Sequence, residues 1–315
     1  MKPYFFSEGI KELSATLTGK ENIYLGIRPY GFHAGNELPF LVYPWLLCNS
    51  MIKLGKIPKF TFHLFINDWE QCQLSGPDPK EFPFNVYPLD TTFQFTHSME
   101  DPSVNIVDYW QPIIEKNVRE MLVEFKSVKV KAIRNSHMKN FKEMKSILIK
   151  TIANPKLVSD VLAKYSTGRV LDWSLLYGIA ICPKCKTAQG LTEVIKEDQI
   201  RHFCKKCFEI QNGKYEDFEY WFYHKPLALP RIMKYKIDLC ITGADHYKEG
   251  DFVVRQKLFE AFGENVKVPQ TLYTESVYGK DGEMMGKSKG NHFFIDPKEL
   301  IKIVENNSTG KIYLK

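Results

Sequence analysis

Along the chain, short apolar runs alternate with longer amphipathic stretches, and the period of each decides which element it becomes. The run 22–28, NIYLGIR, ends at Pro29 and Gly31, as expected for a buried strand that runs out into a loop. Over 36–56 the apolar positions recur at helical spacing, with Pro39 near the start and Gly55 after the last turn, which predicts a helix. KFTFHLFIN, 59–67, is rich in β-branched and aromatic residues and reads as a second strand. Prolines and turn formers crowd 70–104, so a long irregular connection is expected there. Beyond it the pattern predicts a helix over 106–125, a strand over 127–133 and mostly helical chain over 138–164. The alternation stops between about 166 and 230. It resumes with a strand over 236–242, a helix near 250–262, an extended run at 268–276 and a final helix near 297–306. This order predicts one α/β domain, a parallel sheet with helices on its faces, interrupted by an insertion. The expected division is 1–165 for the first half with its connection, 166–230 for the insertion, and 231–315 for the second half.

Composition leaves that picture intact. The 315 residues are 44% hydrophobic and 14% aromatic, which places the chain among folded globular proteins. No apolar run reaches the roughly 18 to 20 residues of a membrane span, and MKPYFFSEGIKELS lacks the order of a signal peptide, so a cytoplasmic protein without a membrane partner is expected. The net charge of +6 suits a polyanionic partner and equally a solvated surface. One segment concentrates it: 126–156 holds nine Lys or Arg against the single acid Glu143, a face for steering phosphates or an ordinary solvated helix surface.

Four of the seven cysteines form two tight pairs, CPKC at 182–185 and CKKC at 204–207, with 18 residues between them. Two such knuckles converge on one tetrahedral Zn²⁺ bound by Cys182, Cys185, Cys204 and Cys207. Four protein ligands leave no open position, so the ion is expected to be structural. Cys48, Cys72 and Cys240 sit in apolar or mixed contexts and read as packing residues.

Three further segments carry nucleotide chemistry. RPYGFHAGN, 28–36, follows the first strand with Gly31 and Gly35, which admit close backbone approach, and with His33 as a donor ahead of a helix N-terminus. TGADHYKEG, 242–250, again sets a glycine and an acid between a strand and a helix, where Asp245 serves either a ribose or the helix cap. GEMMGKSKGN, 282–291, offers Lys287, Ser288 and Lys289 on a glycine-rich turn, without the spacing of a Walker loop.

In this order the segments resemble class I aminoacyl-tRNA synthetases. HAGN resembles the H-I-G-N signature, and a cysteine-pair insertion followed by GADH and GKSKGN is similar to class I lysyl-tRNA synthetases, across essentially the whole chain as a catalytic domain. The resemblance implies a Rossmann-like (HUP-type) sheet carrying a zinc-ribbon insertion. It implies ATP-dependent activation of an amino acid, lysine or a similar one, to an aminoacyl-adenylate with release of pyrophosphate. Transfer would follow, to a tRNA or to a small-molecule or carrier-protein acceptor. His33 and Asn36 would contact ATP phosphates, and Lys287 with Lys289 would stabilise the leaving pyrophosphate, assisted by Mg²⁺. Gly31, Gly35, Gly243, Asp245, His246, Met285 and Ser288 would surround ATP. Met284 stands where the family's first loop lysine is found. Only 24 residues follow Asn291, so an anticodon-binding domain is not expected within the chain, and tRNA contact would be limited to the acceptor stem.

An amino-acid pocket also needs a carboxylate for the α-ammonium. FINDWEQ, at the end of the second strand, supplies Asp68, preferred by position, and Glu70; Trp221 and His224 are candidates for the side-chain pocket. Two other functions fit the same residues. One is an inactive relative that binds RNA or a nucleotide, favoured by Met284. The other is a nucleotidyltransferase acting on a substrate that is not an amino acid.

Overall fold

The computed structural model describes residues 3–30, 32, 34–70, 91–98, 100–166, 178–248, 250–279, 282–285, 294–307 and 310–314. The chain opens with β1 (Tyr4–Phe5), α1 (Phe6–Thr16) and β2 (Asn22–Ile27). A helical segment in three parts follows: α2 (Ala34–Glu37), a π-helical turn (Leu38–Val42) and α3 (Tyr43–Lys53). The reason for the π turn is in the sequence. Pro39 and Pro44 lack the N–H that an α-helical ladder needs, and the Tyr43 N–H reaches back five residues to the Leu38 carbonyl instead. Then come β3 (Thr61–Ile66), α4 (Ile106–Met121), β4 (Lys129–Arg134), α5 (Lys142–Ala153) and α6 (Pro155–Tyr165). The break expected after 166 holds β5 (Gly178–Ile181), β6 (Gly190–Lys196), β7 (Gln199–Cys204), β8 (Ile210–Lys214) and β9 (Glu219–Phe222). The second half comprises α7 (His224–Tyr235), β10 (Leu239–Gly243), α8 (Ala244–Lys248), α9 (Asp251–Ala261), β11 (Gln270–Thr274), β12 (Ser276–Tyr278), α10 (Pro297–Glu305) and β13 (Lys311–Tyr313). A domain boundary between 230 and 231 falls inside α7.

Six strands form one sheet in the order β1-β11-β10-β2-β3-β4, with every pairing parallel. Helices cover both faces, so the central strands are apolar at nearly every position instead of alternating. On β2, Ile23, Leu25 and Ile27 enter one core with residues of α1, α3, α4 and α10. Tyr24 enters the other, with residues of α5, α6, α7 and α9. The chain steps from β2 outward to β3 and β4, and after the insertion returns through β10 on the opposite side of β2. The strand order therefore reverses between β2 and β10, the position at which open parallel sheets hold ligands beyond their carboxyl ends.

The insertion is a β5–β9 antiparallel pair and a three-stranded β6-β7-β8 ribbon. It packs on the sheet domain by placing Ala180, Ile200, Tyr215, Phe218, Tyr220 and Phe222 in the core of α5, α6, α7 and α9, and the Phe222 N–H donates to the Trp69 carbonyl at 3.2 Å. Lysines of the basic segment complete the contact. Lys139 pairs with Glu219 at 2.6 Å, and Lys145 pairs with Asp198 at 2.8 Å and Glu216 at 2.6 Å. Arg134, Lys150 and Lys156 also pair with acids, Asp108, Glu264 and Asp160. Much of the positive charge that sequence reading reserved for phosphates or solvent is thus matched inside the protein.

Candidate active site

A cavity of about 400 Å³ opens at the carboxyl ends of the strands flanking the reversal point. Three sequence segments far apart along the chain converge on it. The start of α2 contributes Gly35 and Asn36, the end of β10 and the start of α8 contribute Gly243, Asp245 and His246, and the segment after β12 contributes Met284 and Met285. That last segment folds back as a hairpin: the Met285 N–H donates to the Val277 carbonyl at 2.7 Å and the Gly279 N–H to the Glu283 carbonyl at 2.9 Å. Met285, two positions before Lys287 in the sequence, is thereby fixed at the cavity wall. Gly31, His33, Lys287, Ser288 and Lys289 lie outside the described residues, as does the side chain of His224.

Asp245 is exposed and sits in the first turn of α8, where its charge suits the helix dipole. It is not the residue preceding the helix, so the capping role considered for it does not apply. Gly243 lies directly beside it: a Cβ there would come within 2.4 Å of Asp245 Oδ1 and would turn that side chain aside.

The amino-acid candidates separate. Glu70 lines the cavity, and its Oε2 accepts from Arg28 Nε at 2.8 Å. Burial opposes the charge of Arg28, but Glu70 and Tyr30 beside it more than offset that, and its pKa lies above the usual guanidinium value. Asp68, preferred on position, does not line the cavity. Its carboxylate accepts from the Ser136 N–H at 3.2 Å and the Ser136 hydroxyl at 2.5 Å, and burial pushes its pKa up against those bonds. Trp221 is also elsewhere, 3% exposed and packed with Ile179, Ile181 and Ala188 in the insertion.

Several cavity residues had escaped the sequence reading. Glu275 follows β11, is 3% exposed, and accepts from the Tyr43 hydroxyl at 2.5 Å through one oxygen while the other is buried without a hydrogen-bond partner. Burial raises its pKa, partly opposed by the Tyr43 bond. Asp251 and Arg255 enter from α9 as a buried pair at 2.5 Å, and Lys225 binds the other Asp251 oxygen. The available signal was an acid and an arginine four residues apart in the first turns of a helix that follows Gly250. Gly250 itself has φ of +70°, and a Cβ on it would lie 2.2 Å from the Tyr165 carbonyl oxygen, so only glycine can start α9 there.

The four cysteines form a second, separate cluster, and none of them lines the cavity. Their sulfurs all lie within 4.8 Å of one another, with Cys182–Cys207 at 3.6 Å and Cys185–Cys204 at 3.5 Å. An ion held by four thiolates at ~2.3 Å sets its sulfurs about 3.8 Å apart, so the cluster has the dimensions of a tetrahedral site. The two knuckles match each other: the Lys186 N–H donates to the Cys182 carbonyl and the Phe208 N–H to the Cys204 carbonyl, both at 2.9 Å. Burial opposes a Cys204 thiolate, but backbone N–H groups of Cys207 and Lys206 aimed at it bring its pKa to about 6.

Comparison with known proteins places the whole. No curated protein matches the chain. Among solved structures it is similar to tyrosyl-tRNA synthetase of Archaeoglobus fulgidus complexed with L-tyrosine, 13% identical over 90% of this chain and 63% of that one, TM-score 0.42. It is similar to tyrosyl-tRNA synthetase of Leishmania major in complex with tyrosinol, 11% identical over 85% and 29%, TM-score 0.38. It is also similar to a glutamate tRNA ligase of Elizabethkingia meningosepticum in complex with its amino acid, 12% identical over 86% and 52%, TM-score 0.37. The chain spans less than two thirds of the length of each of these proteins. The family model described as tRNA synthetases class I (K) matches residues 98–315, more than half of the chain, and the chain belongs to that family.

Proposed function

We propose that the protein activates an amino acid with ATP, forming an aminoacyl-adenylate and pyrophosphate, and passes the aminoacyl group to a tRNA acceptor end. The observation that carries this reading is the convergence of three motif-bearing segments, 35–36, 243–246 and 284–285, on one cavity at the reversal point of a parallel sheet. Attack of a carboxylate on the α-phosphate requires alignment and neutralisation of charge more than a protein nucleophile. Asn36 and His33 would hold phosphates at the start of α2, Gly243 and Asp245 would hold adenosine, and Glu70 with Glu275 would take the α-ammonium. Lys287 and Lys289 would approach the leaving pyrophosphate from the segment that Met285 anchors, and Mg²⁺ would share its charge. Zn²⁺ in the cysteine cluster would hold the insertion in shape and take no part in the reaction.

ATP–pyrophosphate exchange over a panel of amino acids, with and without total tRNA and on zinc-loaded protein, tests the reading. Exchange above background is expected with at least one amino acid. Lys287→Ala should lower it a hundredfold or more, the cost of about 3 kcal/mol for one transition-state donor. Absence of exchange with every amino acid, tRNA present, would remove the proposal.

A further inference from the structure

Asn36, Pro39 and Phe40 line the cavity, while Glu37, in the same helical segment, does not. Its side chain is buried in the seam where α2 and the π-helical turn meet β12 and the first turn of α10. Both sides of that seam belong to one core. Leu38 comes from the π turn, Val277 and Met285 from β12 and the hairpin after it, and Leu300 from α10, with Ile295 packed against them. In sequence, Met285 and Ile295 flank the segment that carries Lys287 and Lys289.

A carboxyl group is an unexpected occupant of such a seam. Glu37 is 0% exposed, and neither of its oxygens has a hydrogen-bond partner of good geometry among the described residues. The charged and polar groups around it do little for an ion. The Ile295 N–H favours a carboxylate, and Asp296, at the N-cap of α10, opposes one. Lys298 and Glu299, in the first turn of that helix, are exposed; β12 brings Ser276 and Tyr278, and Glu275 just before it is bound by Tyr43. Holding an unpaired ion out of water is costly, so the partner at hand is a proton. A neutral carboxyl needs no counter-charge and still presents an acceptor to the Ile295 N–H. An ionised Glu37 would draw water into the seam or turn away from it, and either change moves the residue next to Asn36. It would also set a negative charge one position from a phosphate contact.

Resting on the adenylation reading above, we propose that Glu37 is a positioning residue for ATP: as a neutral acid it locks α2 against the start of α10 and so holds Asn36 in place for the phosphates, and loss of its proton releases the lock. ATP titrated calorimetrically into the full, zinc-loaded chain between pH 7 and pH 9 tests this. Burial brings the Glu37 pKa to about 8, so the protonated fraction falls about tenfold over that range. Apparent affinity scales with the competent fraction, and the Kd for ATP should rise about tenfold with it. Glu37→Gln, of the same shape and neutral at every pH, should match the wild type at pH 7 and keep that affinity at pH 9. Titration of ATP itself is common to both chains and cancels in the comparison. In ATP–pyrophosphate exchange the wild-type loss at pH 9 should appear in the KM for ATP, with kcat less affected, a split that partial unfolding would not give. Glu37→Leu, which fills the space without an acceptor, should bind ATP about tenfold more weakly at both pH values; should it fail to fold, the glutamine series decides alone. An equal rise in Kd for the wild type and Glu37→Gln, or a rise in neither, overturns the proposal and leaves adenylation standing. If ATP binds at no pH and no amino acid supports exchange, adenylation itself falls and takes this role with it.

Discussion

The cysteine cluster and the strand-edge cavity are both built from buried polar groups, yet the distances along the chain that they close are very different. In the cluster the paired sulfurs come from residues 19 and 25 positions apart. In the cavity Arg231 reaches Tyr24 across 207 positions and Tyr43 reaches Glu275 across 232. A local site depends on its own turns and on what it binds. A site closed over such distances depends on the entire core between its parts. The knuckles should therefore be separable from the sheet domain, and the cavity should not.

Metal removal gives the largest effect expected. Structural zinc in small cysteine modules contributes on the order of 10–16 kcal/mol of apparent binding free energy, far more than a three-stranded ribbon has from packing. A strong chelator, or Cys204→Ser, should expose the two cysteine knuckles, 182–187 and 204–209, to protease while the sheet domain, whose core includes Tyr215, Phe218, Tyr220 and Phe222, melts within a few degrees of its starting point. Limited proteolysis read by mass spectrometry, beside a melting curve, checks it. If both regions melt together on chelation, the knuckles and the sheet domain are one cooperative unit.

The next largest effect comes from the other side of the comparison. Arg231→Met leaves the Tyr24, Asn67 and Asn135 oxygens without their donor. At ~1–3 kcal/mol for each buried acceptor left unsatisfied, a loss on the order of 4 kcal/mol in denaturant unfolding is expected, with zinc content unchanged. A loss below about 1 kcal/mol would show that Tyr24 and Asn67, which line the cavity, are not held by this network. Gly250→Ala should follow at about 2 kcal/mol or more, because a left-handed backbone and a contact with the Tyr165 carbonyl oxygen must both give way. Equilibrium unfolding of that variant measures whether α9 can start without glycine.

What the sequence disclosed follows the same division of near and far. The spacing of the cysteines marked their cluster, and the long periodic elements β2, α3, β3, α4, β4, α9, β11 and α10 were all legible. β1, β12 and β13 have two or three residues each, too few for a period, and exist through pairing with distant strands. HKPLALPRIMKY, 224–235, straddles the expected end of the insertion at 230, and no helix was expected there. It forms α7 because Pro226 falls in the first turn, where no N–H is needed, and because 225–232 is buried along its whole length. Within the site, sequence could bring Asp68 and Glu70 forward but could not rank them. Two residues apart on irregular chain, they turn to different partners, Ser136 and Arg28, and neither partner is near in sequence.

The remaining effect, small near pH 5 and growing as pH rises, is the most specific to the cavity side. Glu37 ends α2, directly after Asn36, and is fully buried, with neither carboxylate oxygen in a hydrogen bond of good geometry among the described residues. Burial raises its pKa to about 8 from an ordinary 4.5, the Ile295 backbone N–H opposes the rise, and the nearby Asp296 adds to it. Below about pH 4.5 the folded and unfolded chains both carry the proton, and the stability of the neutral form is fully present. Between 4.5 and about 8 only the folded chain keeps it, so stability falls as pH rises, by at most about 1.4 kcal/mol per pH unit. Above about 8 both states have released the proton and the loss is complete. Glu37→Gln keeps the shape and stays neutral throughout, so urea unfolding of the two chains should agree near pH 5 and diverge toward pH 8, the variant becoming the more stable. A difference that stays flat with pH would mean that Glu37 is ionised and paired in the folded protein. It would then belong with the charged groups of the cavity instead of with the core that holds the Asn36 turn in place.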